Sequence, residues 1–439
     1  MTTNRFKTNL YLPAQAAAET EATITRWLVA AGQSFTKGQV LAEIESAKTS
    51  FTFEAPCDGS VVAVLCAQNQ TTTYDKPVVQ IETGDQSMKQ SIPVAGVSVE
   101  AVAPHMEVLD ISTQKPIVTD AISLMEIGGY LPKRVVPNSE LLAEFPDITE
   151  DYIFGVTGIR ERRWAGENEL PSDLAYQASL QAITKSGLTV ADIDAIIVAT
   201  DTPDAAMPAT ACILQQKLGC RGGVPAFDLN AACSGWLYGI CVAQGLVCAG
   251  TAKNILVVGV DMQSRLLDKK DKDVYFLFGD GAGATVVSRC NSGHRIKQHI
   301  MLADAKGISM ASRDTPGYRQ IMASDDPWVR LDGKALFKFA TQSFAQIISD
   351  VAIKSGWKLE DVRWVVPHQA NARIIKAAAA RCGIPFERFY LNIDHVGNTS
   401  SASIPLALVE IEKGLQKGDK IIFCSVGAGV TAAAISVEW

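Results

Sequence analysis

Apolar residues along this chain recur in two patterns, and the pattern changes near residue 120. From there to the C-terminus short apolar runs read as strands and alternate with longer stretches at helical spacing. One unit runs strand (Val224 to Leu229), tight small-residue turn, then apolar helix (Trp236 to Val247). A repeat organises these units. Asp192-Ile-Asp-Ala-Ile-Ile-Val is echoed by Asp361-Val-Arg-Trp-Val-Val-Pro, and Asn254-Ile-Leu-Val-Val-Gly-Val by Lys420-Ile-Ile-Phe-Cys-Ser-Val. Between them, Ala226-Phe-Asp-Leu-Asn-Ala-Ala-Cys233 is echoed by the segment from Tyr390 to Asn398. Strands alternating with helices predict an α/β fold with a mostly parallel sheet covered on both faces. Two duplicated halves, 119–290 and 291–439, would bring equivalent turns together at a pseudo-twofold axis.

Before residue 84 the pattern is short strands separated by turn residues, which predicts a small all-β module over 1–83. Its centre, Val40-Leu-Ala-Glu-Ile-Glu-Ser-Ala-Lys48-Thr-Ser-Phe-Thr-Phe, reads as two strands flanking a tip that carries Lys48. The stretch Leu28 to Gly38 supplies one turn, and Cys57-Asp-Gly-Ser-Val-Val-Ala-Val opens a second strand-turn-strand unit. Residues 84–118 have no regular period, are punctuated by Pro93, Pro104 and Pro116, and read as a linker.

Composition narrows the class. Hydrophobic residues at 47% and charged residues at 20% suit a soluble globular protein. A net charge of −7 argues against nucleic acid or an anionic membrane as partner. The 10 cysteines include no CxxC pair and no metal-ligand spacing, as expected of free thiols in a reducing cytoplasm, and no metal site is expected. The first residues, Met-Thr-Thr-Asn-Arg-Phe-Lys, lead into no apolar run, so neither a secretory signal nor a membrane span is expected.

The chemistry centres on Cys233. A thiol at a helix start faces free N–H groups and the positive end of the macrodipole, surroundings that favour the thiolate. The repeat sets His368 and Asn398 on turns of the other half. Cys, His and Asn converging from separate positions form a nucleophile constellation. His395, His294 and His299 rank lower, the last two flanking a polar turn without acidic partners. Gly279-Asp-Gly-Ala-Gly leads into a strand and not a helix, so it reads as close backbone packing and not as a phosphate loop.

Residues from about 120 onward resemble the β-ketoacyl-acyl carrier protein synthase III family of the thiolase superfamily. The resemblance rests on Gly158-Ile-Arg-Glu-Arg, Asn230-Ala-Ala-Cys-Ser-Gly, Phe278-Gly-Asp-Gly-Ala-Gly, Pro367-His-Gln-Ala-Asn and Gly397-Asn-Thr-Ser-Ser-Ala-Ser-Ile-Pro. It implies a duplicated five-layered αβαβα fold, a homodimer, and no cofactor for condensation. It assigns Cys233 as the residue that takes the acyl group, His368 and Asn398 as donors to the malonyl thioester oxygen, and the N–H groups of Cys233 and the Gly427-Ala428 turn as the oxyanion hole. Arg160, Arg162 and Arg163 fall on a run that is largely structural in the family.

Departures bear on substrate. Tyr152 and Val156 stand where fatty-acid members carry a Trp and an Arg that contact coenzyme A, and Lys272 replaces another arginine. Acyl carrier protein is therefore the more favoured donor of acyl and malonyl thioesters. Met207 replaces a bulky Phe that closes the acyl pocket across the dimer, which would admit a longer chain. Asn371 is a further substrate-binding candidate. Lys338, Arg373, Lys376 and Arg381 form a candidate docking patch for an acidic carrier.

The first 83 residues resemble a biotinyl/lipoyl carrier domain, with Lys48 at the position that takes the cofactor, lipoate being favoured over biotin. Cys66-Ala-Gln-Asn-Gln lacks that family's glycine turn, and a docking role without any cofactor stays open. The function implied is decarboxylative Claisen condensation in fatty acid or secondary-metabolite synthesis. A specialised acyltransferase, a dialkylresorcinol-type ketosynthase or a non-catalytic complex component are the alternatives.

Overall fold

The computed structural model describes residues 5–12, 21–46, 50–73, 76–85, 122–290, 292–314 and 326–439. The chain divides into two compact units, Met1–His105 and Met106–Trp439. Lys48, His105 and nearly all of the expected linker lie outside the described residues.

The N-terminal unit is all-β, as its alternating pattern requires. One four-stranded sheet runs in the order Phe6–Tyr11, Pro77–Thr83, Gly59–Val64, Ser34–Phe35, and the other Ser50–Glu54, Val40–Ser46, Glu21–Trp27, Thr71–Thr73. Their inward residues, among them Ile24, Leu41, Ile44, Val61, Val79 and Ile81, make one buried cluster. Val40–Ser46 and Ser50–Glu54 pair antiparallel with Glu45 opposite Ser50, and the connection between them would carry Lys48. The turn without glycine is built another way. Asn69 adopts φ 63°, a conformation Asn tolerates better than most residues, and its N–H donates to the Ile24 carbonyl at 2.7 Å. The Gln70 side chain accepts from the Ala67 N–H at 2.9 Å.

In the larger unit nine strands follow one hydrogen-bonded path. Its order is Ala226–Leu229, Ala195–Ala199, Asn254–Met262, Asp280–Arg289, Ile122–Leu124, His294–Ala303, Thr431–Glu438, Lys420–Gly427 and Val362–Pro367. The duplication is visible in this order, the two halves reading inward to the middle. The partner expected for Ala226–Leu229 in the second half shrinks to the single bridge between Val365 and Phe389.

A mostly parallel sheet was the expectation, and it holds only at the two ends of the path. The ladders in the middle are antiparallel. Parallel neighbours need a crossover helix. Helices Thr210–Leu218 and Gly235–Cys248 provide crossovers, whereas Asn254–Met262 is followed by only short helical turns and the chain folds straight back. His294 opens the strand His294–Ala303 directly after the bend at Ser292 and Gly293, and His299 lies within it.

Five layers result. Helices Pro171–Lys185 and Thr210–Leu218 cover one outer face, and Gly333–Lys354 and Ala372–Cys382 the other. Between the two β layers lie Gly235–Cys248 and Ser403–Ile411, apolar almost all round because each meets a sheet on both sides.

Glycines in the Gly279–Gly283 run are dictated by contact. A Cβ on Gly279 would stand 2.3 Å from the Val396 carbonyl oxygen and one on Gly283 2.5 Å from the Pro405 ring. Gly279→Ala is therefore expected to destabilise the larger unit by about 1–3 kcal/mol, the usual cost of overpacking. A thermal melt that matches the wild type would contradict this.

Candidate active site

The apolar strand Ala226–Leu229 ends at Asn230, and the chain then makes a 3₁₀ turn, Ala232–Ser234, before the helix Gly235–Cys248. Ala232 has φ 47°, a conformation rare for alanine. It is held there by the Asn230 side-chain oxygen, which accepts the Ala232 N–H at 3.1 Å. The other half repeats the device. Ser400 has φ 49°, and the Asn398 side-chain oxygen accepts its N–H at 2.9 Å, ahead of the 3₁₀ turn Ser400–Ala402. The structural counterpart of Asn398 is thus Asn230, which refines the register read from the repeat.

Cys233, His368 and Asn398 all line one cavity of about 800 Å³. The Ser400 hydroxyl donates to Cys233 Sγ at 3.7 Å. His368 is buried and follows the end of strand Val362–Pro367. Burial pulls its pKa down to about 3, so the imidazole is neutral. Its Nδ1 lies 2.7 Å from the Ser403 hydroxyl oxygen, and that hydroxyl donates to the Ser400 carbonyl at 2.9 Å. The hydroxyl has one proton: given to the Ser400 carbonyl, it leaves Nδ1–H to donate to Ser403, and turned to Nδ1 it leaves the ring proton on Nε2. With its oxygen engaged by Ser400, the Asn398 amide keeps its NH₂ as a donor.

The thiolate expected of a helix start is not what the resting site favours. Burial, followed by the Asp201 charge, pushes the Cys233 thiol up to about 12. The helix N-terminus acts the other way but follows an intervening 3₁₀ turn. The oxyanion-hole candidates do come together. A Cβ on Gly427 would stand 2.9 Å from the Cys233 nitrogen, so this strand end lies directly against the Cys233 N–H. Ala428 lines the cavity and is not among the non-glycine residues with positive φ.

Other residues named from sequence divide into those at the cavity and those outside it. Tyr152, Val156, Lys272, Asn371 and Arg373 line it. Asn371 has both ends of its amide engaged, donating to the Val156 carbonyl at 2.9 Å and capping the helix Ala372–Cys382 through the Arg373 N–H. Met207 does not line the cavity of its own chain and is 85% exposed. Lys338, Lys376 and Arg381 are exposed on the two outer helices, with Lys334 and Arg373 at the cavity between them. Arg162 is buried and structural, bonding the Val136 and Phe276 carbonyls and the Asn138 amide oxygen. His395 sits between Asp394 and Glu410, which raise it to about 9. His294, contrary to expectation, has an acidic neighbour, Glu126 at 4.0 Å.

Asp201, Gln263 and Ser403 were missed. Asp201 and Gln263 line the cavity beside Cys233, and Gln263 Nε2 donates to Asp201 Oδ1 at 2.6 Å. No motif pointed to them, because they meet only when the ends of strands Ala195–Ala199 and Asn254–Met262 come side by side. Among the described residues there is no cluster able to hold a metal ion and no helix long and apolar enough to cross a membrane. All 10 cysteines are free.

Fold and site define a thiolase-like condensing enzyme. Models of 3-oxoacyl-acyl carrier protein synthase III match residues 227–305 and, for its C-terminal part, 353–439, while the biotin-requiring enzyme model, for biotinyl/lipoyl domains, matches 8–81. The β-ketoacyl-acyl carrier protein synthase III of Deinococcus deserti is 38% identical over 326 residues, 73% of this chain and 91% of that protein. That of Clostridium perfringens is 40% identical over 321 residues, 72% of this chain and 98% of the relative. The crystal structure of the Aquifex aeolicus synthase III superposes with a TM-score of 0.68 at 38% identity, covering 72% of this chain and all of that one. A priming β-ketosynthase of the R1128 polyketide pathway gives 0.68 at 29% identity, over 76% of this chain and 98% of its own. The chain belongs to the β-ketoacyl-acyl carrier protein synthase III family. It is an acyltransferase of the ketosynthase kind, joined to an N-terminal biotinyl/lipoyl-type domain.

With the thiol raised to about 12, the thiolate fraction at neutral pH is small and grows as pH rises. Alkylation of Cys233 by iodoacetamide is expected to accelerate about tenfold per pH unit between pH 7 and 10. A rate that levels off below pH 8 would mean that the helix N-terminus outweighs burial.

Proposed function

We propose that the enzyme loads an acyl group onto Cys233 and condenses it with a malonyl-type thioester on an acyl carrier protein, releasing carbon dioxide. The reaction serves fatty acid or secondary-metabolite synthesis. The observation that supports this reading is the pair of neutral donors, the Asn398 amide and the His368 imidazole, in the same cavity as the thiol. In the first half-reaction Cys233 sulfur forms the new thioester bond, and the donor leaves as a thiol. The N–H groups of Cys233 and of the Gly427–Ala428 turn receive the negative oxygen of the tetrahedral intermediate. In the second, decarboxylation leaves an enolate whose oxygen accepts from His368 Nε2–H and Asn398 Nδ2–H. Its carbon attacks the acyl-Cys233 carbonyl. Neutral donors suit this step; a carboxylate at 398 would repel the enolate. A simple acyltransferase needs no such pair, and carbon dioxide release separates the two.

Exposed Lys338, Arg373, Lys376 and Arg381 make no ion pair with any described residue and are read as the dock for an acidic carrier protein. The functional unit is read as a homodimer in which exposed Met207 closes the partner's acyl pocket. Ten free thiols suit a cytoplasmic enzyme. The domains are read as 1–83, a linker at 84–118, and 119–439.

Cys233→Ala is expected to abolish acyl-enzyme formation in intact-mass measurements after incubation with acyl thioesters. His368→Ala or Asn398→Ala is expected to leave Cys233 loading largely intact and to slow malonyl decarboxylation about 100-fold or more, the loss of roughly 3 kcal/mol for one oxyanion-type donor. Equal damage to both half-reactions would overturn the assignment.

The N-terminal unit is read as a carrier-type module whose hairpin tip presents Lys48 for lipoate, or less favourably biotin; condensation uses neither. Native protein carrying such a group would show a mass increment on the Lys48 peptide that Lys48→Arg removes. An unmodified peptide from the native host would leave the module a docking role.

A further inference from the structure

The cavity wall beside Cys233 carries polar groups for which acyl loading onto an aliphatic chain has no use. Gln263 is only 3% exposed, lines the cavity, and its Oε1 has no hydrogen-bond partner. Its Nε2 is held by Asp201 Oδ1 at 2.6 Å. The backbone fixes this pair. Asp201 N–H donates to Asp261 at 2.9 Å, and Arg313 donates to the Asp201 carbonyl at 2.9 Å and lines the same cavity. Burial and the Asp261 charge raise the Asp201 carboxyl well above the ordinary carboxylate range. Rotating the Gln263 amide by half a turn would exchange its two ends and still leave one buried polar atom without a partner. A buried amide of this kind favours a ligand that can both donate and accept a hydrogen bond, and it penalises a hydrocarbon in the same place.

Resting on the acyl-loading reading above, we infer that Gln263 and Asp201 form a polar subsite that selects a short acyl group bearing a hydroxyl. The hydroxyl donates to Gln263 Oε1. Because Asp201 and Cys233 share the cavity and Gln263 bonds Asp201 directly, the hydroxyl belongs on the first few carbons of the chain. The loading step itself is unchanged: the Cys233 S–C bond forms, the donor S–C bond breaks, and the thiol proton leaves with the departing thiol.

The test is competition between butyryl, 2-hydroxybutyryl and 3-hydroxybutyryl pantetheine thioesters on the full-length enzyme, with Cys233 adducts counted by intact mass. One of the hydroxylated groups should load about tenfold or more faster than butyryl. Gln263→Met, of equal length and without hydrogen-bonding atoms, should bring the ratio to about one. The ratio is internal to each protein, so partial misfolding of the variant cancels, and the wild-type ratio alone already decides. Equal or faster butyryl loading, or a ratio unmoved by Gln263→Met, overturns the inference while leaving Cys233 loading intact. No adduct on Cys233 from any of the three overturns the acyl-loading reading and the inference with it.

Discussion

One buried carboxylate ties the two halves of the synthase unit together. Asp261, at the end of strand Asn254–Met262, is 0% exposed. It accepts five hydrogen bonds: from the Thr200 and Thr202 hydroxyls and the Asp201 N–H in its own half, and from the N–H and hydroxyl of Ser401 in the other. A buried charge is tolerated only when so satisfied, and losing any donor would leave it under-solvated. The register between the Asp201 turn and the Ser400 turn is thereby fixed. Ser400 faces Cys233 from that turn, and Asn398 leads into it.

Close contact does the rest. A Cβ on Gly259 would lie 2.5 Å from the Ser401 carbonyl oxygen, and one on Gly427 2.9 Å from the Cys233 nitrogen. Two turns this tight force Ala232 and Ser400 into positive φ, and the Asn230 and Asn398 side chains hold them. The Asn398 side chain that braces the strained Ser400 also lines the cavity that holds Cys233.

Electrostatically the site is dominated by burial. The thiol and the Asp201 carboxyl are pushed up and the imidazole is pulled down, each first by burial. Acyl transfer at such a thiol requires that its proton be removed as the substrate arrives. The imidazole, by contrast, is neutral from the start, which is the form the proposed condensation step requires. This asymmetry fits an enzyme whose second half-reaction develops negative charge on a substrate oxygen and not on a side chain.

Much of this was legible along the chain. Strand and helix periodicity, the duplication, and the small-residue turns around Cys233, His368 and Asn398 are local or periodic signals, and each survives in the structure. So does the β-module, where the missing glycine proved a matter of Asn69 taking the same backbone conformation. What the chain could not announce depends on contacts between distant segments. The antiparallel centre of the sheet follows from where crossover helices are absent. The true counterpart of Asn398 emerged from matching backbone geometry, because sequence echoes tolerate a shift of a few residues. Asp201 and Gln263 belong to no motif, and although Ser403 lies within the run that starts at Gly397, only packing sets it behind His368. Protonation of the thiol went the same way: sequence places Cys233 at a helix start, but desolvation is a property of everything folded around it.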